Sequence, residues 1–233
     1  MNWHNRTMLL YEILLGGLLI AGCAGNMPGG PDSGEPLSDA VTFHKPESDT
    51  PIRPAEFNFT LSGKKFKIHR EGLCELSDGD RITQVVSIPL PGNFLIESFS
   101  YGVYERDIVL YYQLYDGHDL SAGVARLNYN AGKTVWTAAI PGFNIGEPLV
   151  HGSKLYVTAF GFIGKMDLNS GVYDWQHDEL YDDGAFNAFK RPKLSGDVVV
   201  FEEIRDIPRY SGVLRIHVDD ASGRMLGIRE AAK

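Results

Sequence analysis

The 233-residue chain carries 22 lysine and arginine residues against 30 aspartate and glutamate residues, a formal net charge of −8 at pH 7. This balance repels nucleic-acid phosphates and anionic membrane surfaces, so it argues against a nucleic-acid-binding protein and favours a basic partner. The chain has only two cysteines, Cys23 and Cys74, which excludes a fold held together by several disulfides.

The N-terminus has the pattern of an export signal. Arg6 precedes an almost unbroken apolar run at 13–20, which is too short for a stable membrane span. The sequence LIAGC at 19–23 resembles the lipobox of bacterial lipoproteins. This resemblance implies a signal peptide at 1–22, a lipid on the thiol of Cys23 and, with Ala24 next, sorting to the outer membrane. An ordinary secretory signal with a chance cysteine is the alternative.

Residues 23–56 are predicted to form a flexible tether that begins with the lipidated Cys23. Six of the twelve prolines lie in this stretch, and it has too few apolar clusters to build a core. A coil of this length places its ends roughly 30 Å apart. If Cys23 carries a lipid, Cys74 has no partner within the chain, and we expect it to be a buried apolar residue. A reactive thiol is the alternative.

Residues 57–233 change to β-branched and aromatic residues separated by glycine and Asx turns, and no stretch has a helical period. Thirteen strands are predicted, and they are short. They are Phe57–Leu61, Lys65–His69, Ile82–Ile88, Phe94–Tyr101, Ile108–Tyr115, Gly123–Tyr129, Thr134–Ile140, Lys154–Phe160, Phe162–Leu168, Val172–Trp175, Asp197–Glu203, Gly212–Val218 and Met225–Arg229.

One turn motif recurs along this domain: an Asp or Asn, a glycine four residues later and a tryptophan four residues after that. The acidic or amide side chain can cap the turn, and the glycine can take the positive φ that closes it. A buried indole needs a neighbouring sheet to cover it. The copies are Asp167, Gly171 and Trp175; Asn128, Gly132 and Trp136; Asp219 and Gly223, with Gly227 in the tryptophan position; and a fainter copy at Glu75 and Gly79.

A repeat of about 40 to 45 residues with four strands is typical of a β-propeller. The repeat resembles that of PQQ-like (quinoprotein dehydrogenase-type) propellers, whose blades carry an Ala-x-Asp-x-x-Thr-Gly-x-x-x-Trp motif. We therefore expect an all-β fold, a small or partial propeller of about four blades. A homodimer that completes one ring is an open possibility, and a β-sandwich is the architectural alternative.

We expect no catalytic residues, no cofactor and no metal site. The chain has no phosphate-binding glycine loop, no HExxH and no Gly-x-Ser-x-Gly elbow. A PQQ enzyme needs a larger propeller with a calcium site, and no position of this chain matches those ligands.

Exposed tyrosines and acidic residues are the candidate contacts for a protein partner. The predicted contacts are Tyr101, Tyr104, Tyr181, Asp182 and Asp183, and the acidic pair Glu202 and Glu203 is a further candidate surface.

The sequence favours a non-catalytic, lipid-anchored protein on the periplasmic side of the outer membrane that binds another protein. Resemblance to propeller lipoproteins of outer-membrane β-barrel assembly implies an accessory or assembly role. A periplasmic immunity lipoprotein that neutralises a toxin effector is one alternative, and a quinoprotein-like enzyme is another.

Overall fold

A computed structural model describes residues 41–46, 56–178, 180, 188–204 and 212–232. Cys23, Tyr181, Asp182 and Asp183 lie outside these residues. The described part of the chain is all-β, with sixteen strands in four separate sheets and no helix. It follows that none of these residues forms a helix with the length and hydropathy needed to cross a membrane.

Each sheet contains four strands that pair antiparallel in chain order. Sheet 1 contains β1 (Glu56–Leu61), β2 (Lys64–His69), β3 (Leu73–Asp78) and β4 (Arg81–Ser87). Sheet 2 contains β5 (Leu95–Tyr104), β6 (Asp107–Tyr115), β7 (Leu120–Asn128) and β8 (Lys133–Ile140). Sheet 3 contains β9 (Leu149–His151), β10 (Lys154–Ala159), β11 (Phe162–Asp167) and β12 (Tyr173–His177). Sheet 4 contains β13 (Lys193–Ser195), β14 (Val198–Glu202), β15 (Gly212–Asp219) and β16 (Met225–Ala232).

These sheets are the blades of a small or partial β-propeller, as the repeat predicts, and they exclude the sandwich alternative. Three strands were not predicted. The strands β9 and β13 have only three residues each, too few for alternation to stand out. The strand β3 ends in Ser77 and Asp78 just before Gly79, and the sequence assigns this stretch to the fainter copy of the turn motif that begins at Glu75.

Three apolar cores join successive sheets. Phe59 and Ile68 of sheet 1 pack with Phe99 of sheet 2 in the first core. The second core lies between sheets 2 and 3, and the third between sheets 3 and 4. Tyr111 and Tyr112 show the strand alternation directly, because Tyr111 lies in the second core and Tyr112 in the first.

Cys74 is buried in the first core, as predicted. It is a free thiol with 3% of its surface exposed. Burial raises the pKa of the thiol to about 12, because the apolar surroundings disfavour the thiolate. The thiol therefore stays protonated at neutral pH and packs as a small apolar side chain.

The recurrent turn motif is the junction between neighbouring sheets. Trp136, on the last strand of sheet 2, donates its indole N–H to the carbonyl of Leu168 in the turn of sheet 3, at 3.0 Å. Its ring lies against Gly171, where an added Cβ would come within 2.6 Å of it. Trp175 repeats the contact one sheet later, with its indole 2.9 Å from the carbonyl of Asp220.

A cation strengthens each of these two junctions. Arg126 of sheet 2 donates to the carbonyl of Leu168 at 3.0 Å, so this oxygen accepts from both the guanidinium and the indole. Lys165 of sheet 3 donates in the same way to the carbonyl of Asp220 at 2.9 Å. Asp107 pairs with the buried Arg126 at 2.6 Å, which compensates the cost of burying that charge.

The junction of sheets 1 and 2 uses an amide instead of an indole. Gln84 stands across from Leu76 in the same register as Trp136 from Arg126. Its side chain lies against Gly132, and with its oxygen turned inward it accepts from the Gly132 N–H at 3.1 Å. All three junctions therefore share the register position of the docking side chain on the last strand of the sheet, whereas the side chain itself differs.

Among the described residues, the two end sheets lack this contact on their outer sides. No described atom lies within 4 Å of the Cβ position of Gly79, in the turn of sheet 1, and Gly227 stands in sheet 4 at the position of the docking side chain. The outer faces also carry charged side chains between the buried positions. They include Glu56, Lys65, Lys67 and Glu75 on sheet 1, and Lys193, Glu202, Arg215 and Arg229 on sheet 4.

Changing Trp175 to Ala is expected to lower the free energy of unfolding by about 3–5 kcal/mol, since it empties a site in which the indole is 9% exposed. Urea unfolding measures the change. The control is Val172→Ala in the preceding turn, 63% exposed, which should shift the free energy by less than about 0.5 kcal/mol. Equal effects of both substitutions contradict the junction described above.

Changing Gly223 to Ala should destabilise more than changing Gly79 to Ala. Both glycines have positive φ, +72° and +60°, so each alanine costs about 1–2 kcal/mol in backbone strain. Only the Gly223 substitution also meets Trp175, 2.5 Å from the new methyl group, which adds about 1–3 kcal/mol. Denaturant midpoints of both variants test this difference, and it should shrink in the Trp175→Gly background, which removes both the Cβ and the ring that the new methyl group meets.

Candidate functional site

Because the strands of each sheet run antiparallel in order, the connections between second and third strands lie at the same edge as the connections between sheets. We call this the loop edge; its described inter-sheet connections are 88–94 and 141–148, with parts of 178–192. Phe160 donates its backbone N–H to the carbonyl of Phe143 at 2.6 Å, and Leu180 to that of Gly161 at 2.9 Å. These bonds join the two kinds of connection.

A segment outside the sheets, Val41–Pro46, lies along β5, the first strand of sheet 2. His44 and Tyr101 exchange two backbone hydrogen bonds of 2.7 and 2.8 Å, so the segment runs antiparallel to β5. Val41 and Phe43 pack against the second core. The tether predicted at 23–56 includes this segment, and no sequence signal indicates the contact.

A cleft of about 540 Å³ opens at the loop edge between this segment, sheet 2 and the connection to sheet 3. Its volume lies within the usual range of ligand pockets, about 300–1,000 Å³. Aromatic rings and polar groups both line it. The lining residues are Phe43, Lys45, Ser98, Phe99, Ser100, Tyr111, Gln113, Asn144, Ile145, Gly146 and Glu147.

Hydrogen bonds hold the cleft walls in place. Gln113 donates to Glu97 at 3.0 Å and accepts from the Asn144 N–H at 3.1 Å, which ties β6 to the 141–148 connection. Tyr111 donates its hydroxyl to the carbonyl of Thr158 at 2.6 Å. Burial raises the pKa of Tyr111, so this phenol remains a neutral donor at all ordinary pH values.

Two phenylalanine rings stack beside the cleft. The rings of Phe143 and Phe160 lie 5.0 Å apart and are parallel to within 5°. Phe143 is 37% exposed, although it is a large apolar residue. Positive φ values at its neighbours, +97° at Gly142 and +55° at Asn144, shape the bend that presents its ring. The result is an exposed aromatic surface on a fixed backbone.

The cleft offers hydrogen-bonding groups and two charged side chains, the cation of Lys45 and the carboxylate of Glu147. Across the part of the chain that is described, no three His, Cys, Asp or Glu residues cluster as metal ligands. Thr158 is fully buried behind the cleft, and its hydroxyl has no hydrogen-bond partner among the described residues. This arrangement suits recognition of a polar chain with some apolar groups.

Of the predicted protein contacts, only Tyr101 and Tyr104 lie within the described residues. The expectation of an exposed Tyr101 is wrong: it is 8% exposed, and its ring stacks on Phe59 at 4.0 Å. Tyr104 is half-buried, donates to Asn169 at 3.2 Å and lies 5.0 Å from the guanidinium of Arg126. It therefore supports the junction of sheets 2 and 3.

The acidic pair is likewise not a contact surface. Glu203 is 1% exposed, and Glu202 pairs with Lys190 at 2.5 Å and Arg215 at 2.7 Å. These two cations lower the pKa of Glu202.

Neither Phe143 nor the cleft is among the sites predicted from the sequence. The signal that was available is the Pro141-Gly142 dipeptide, which marks a turn and so places the next aromatic residue, Phe143, in a loop.

No protein-family model matches the chain, and comparison with curated proteins finds no match. Solved structures with similar folds include BamB from Moraxella catarrhalis, 18% identical with a TM-score of 0.43, over 81% of this chain and 50% of that one. A quinohemoprotein alcohol dehydrogenase from Pseudomonas putida HK5 is 12% identical with a TM-score of 0.44, over 82% and 35%. A europium-containing methanol dehydrogenase is 11% identical with a TM-score of 0.48, over 74% and 41%. This chain thus spans half or less of the length of these propellers.

Proposed function

We propose that this protein is a non-catalytic, lipid-anchored envelope protein that binds another protein at the loop edge of its propeller. The observation that carries the proposal is the exposed ring of Phe143, stacked on the half-buried Phe160 beside a polar cleft. Aromatic anchors beside a pocket are typical of the few residues that dominate a protein interface. The pair is also held by a backbone hydrogen bond, so little freedom is lost on binding.

Charge supports a basic partner. The chain carries a net charge of −8 at pH 7, and Glu147, which lines the cleft, has 59% of its side chain exposed and pairs with the half-exposed Arg191 at 3.2 Å. An acidic protein attracts a basic partner over long range and raises the rate of association. Among envelope roles we favour an accessory or assembly role, as the sequence resemblance implies.

The anchor in this proposal is a lipid on Cys23, and the location is the periplasmic face of the outer membrane. The support is the lipobox-like LIAGC at 19–23, followed by a proline-rich stretch. Each acyl-chain methylene that is buried in the membrane contributes about 0.8 kcal/mol to the free energy of membrane binding.

Changing Cys23 to Ser should move the protein from the membrane fraction to the soluble fraction, because a serine hydroxyl cannot take the place of the thiol that carries the lipid. Fractionation of cells followed by immunoblotting measures this. The control is Cys74→Ser, which should leave the mature protein on the membrane. Persistence of the Cys23 variant in the pellet after a high-salt wash contradicts lipid anchoring.

Changing Phe143 to Ala should reduce capture of the partner at least tenfold, as expected when an interface loses about 1.4 kcal/mol or more. The measurement is a pull-down from envelope extract with the full mature chain, quantified by mass spectrometry. The matched control is Ile82→Ala, an exposed apolar residue on the outer face of sheet 1. Thermal melting checks that both variants are folded.

The identity of the captured protein separates the proposed roles. An envelope assembly component supports the accessory role, whereas a toxin effector replaces it with immunity. Recovery of no protein by either form overturns the proposed binding function.

A further inference from the structure

Gly102 of β5 lies against the 41–46 segment. Three atoms lie nearest to the place that a Cβ at this position would take: Val41 Cγ1 at 2.6 Å, the Thr42 carbonyl oxygen at 3.2 Å and Phe43 Cδ2 at 3.5 Å. All three atoms belong to the segment. The glycine therefore leaves the space into which the segment packs.

The backbone conformation does not explain a glycine at this position. The φ of Gly102 lies outside the left-handed region that favours glycine. Glycine inside a strand weakens the strand, and it often marks a place where another backbone approaches closely. The backbone that approaches Gly102 is that of Thr42. The seating of the segment on β5 thus explains the residue type at position 102.

The seated segment turns two of its side chains toward the cleft. His44 pairs with Tyr101, which places Lys45 opposite Ser100. Side chains alternate along a strand, so Phe43 and Lys45 lie on the face opposite to that of His44. Phe43, Lys45 and Ser100 all line the cleft. The register of the segment on β5 therefore decides which of its side chains reach the cleft.

The segment gives the cleft an aromatic ring and a cation. Phe43 meets the buried Tyr111 edge to face, with ring centroids 6.5 Å apart and ring planes at 74°. Lys45 and Glu147 are the two charged side chains among the described lining residues. Without the segment, this lining would keep only the carboxylate. The shape and the charge of the cleft therefore both depend on where the segment lies.

From these contacts we infer that Phe43 and Lys45 belong to the partner-binding site and that Gly102 is the positioning residue that seats the segment carrying them. The inference rests on the proposed protein-binding function and adds residues to its site. Gly102 does not line the cleft, so it acts on the partner through the segment. Where a partner needs the segment in place, its apparent affinity falls in proportion to the fraction of molecules in which the segment is seated.

Changing Gly102 to Val should displace the segment and leave β5 intact, because valine suits a strand but its side chain would fill the space of Val41. Seating is measured on the full mature chain by NMR, as hydrogen exchange of the His44 amide, which donates to the Tyr101 carbonyl at 2.7 Å. This exchange should speed up at least tenfold. Capture in the envelope-extract pull-down should fall at least tenfold, as it does when the segment is seated in about a tenth of the molecules or fewer.

The matched control is Thr60→Val, which puts the same side chain on an exposed position of β1, the first strand of sheet 1, and should change neither readout. Thermal melting checks that both variants are folded. If Gly102→Val fails to fold, Val41→Asp replaces it. Val41 packs against the second core and does not line the cleft, so a carboxylate there expels the segment without removing a cleft side chain. The control for this variant is Val172→Asp, at a position that is 63% exposed.

The outcomes separate this inference from the proposed function. If Phe143→Ala loses the partner and Gly102→Val keeps it although His44 exchanges fast, the binding function stands and the segment is not part of the site. If His44 exchange is unchanged in a folded Gly102→Val variant, the positioning role of Gly102 is wrong. If the wild-type chain captures no protein, the proposed function is wrong, and the assignment of Phe43 and Lys45 to a partner site is wrong as well.

Discussion

The fold depends on one contact between neighbouring sheets: a side chain from the last strand of one sheet lies on a turn glycine of the next. In two junctions this side chain is an indole whose N–H also meets a turn carbonyl, that of Leu168 or Asp220. Each sheet has two faces to cover and cannot do so alone. The contact fixes both the spacing and the rotation of adjacent sheets, and the three apolar cores form between surfaces that it has aligned.

The same constraint separates structural residues from those available for binding. Tyr104, Arg126 and Lys165 are polar, and the side chain of each one contacts the neighbouring sheet. The junction contacts lie in the turns at the edge opposite the loop edge. The connections at the loop edge therefore do not have to hold neighbouring sheets together. Phe143 can therefore stay exposed without weakening the packing between sheets.

The repeat could be predicted from the sequence because its signals are local. The spacing from Asp167 through Gly171 to Trp175 predicts a turn and an indole ring covered by a neighbouring sheet, and both are found. Burial of Tyr101 could not be predicted, because it depends on Phe59 of another sheet. The cleft was also out of reach, since it combines the 41–46 segment, β5 and β6, and the 141–148 connection. Short strands such as β9 could not be predicted for a different reason, because they have too few residues to show a period.

The turn of sheet 3 receives the ring of Trp136, and the same sheet presents Trp175 to sheet 4. The stretch from one tryptophan to the next thus contains a turn glycine that contacts the sheet before it and a tryptophan that contacts the sheet after it. Duplication of such a unit within a gene would insert a blade whose two new boundaries are already matched. Sheet 4, with Gly227 in the donor position, offers no such unit, so growth of this architecture is confined to its interior.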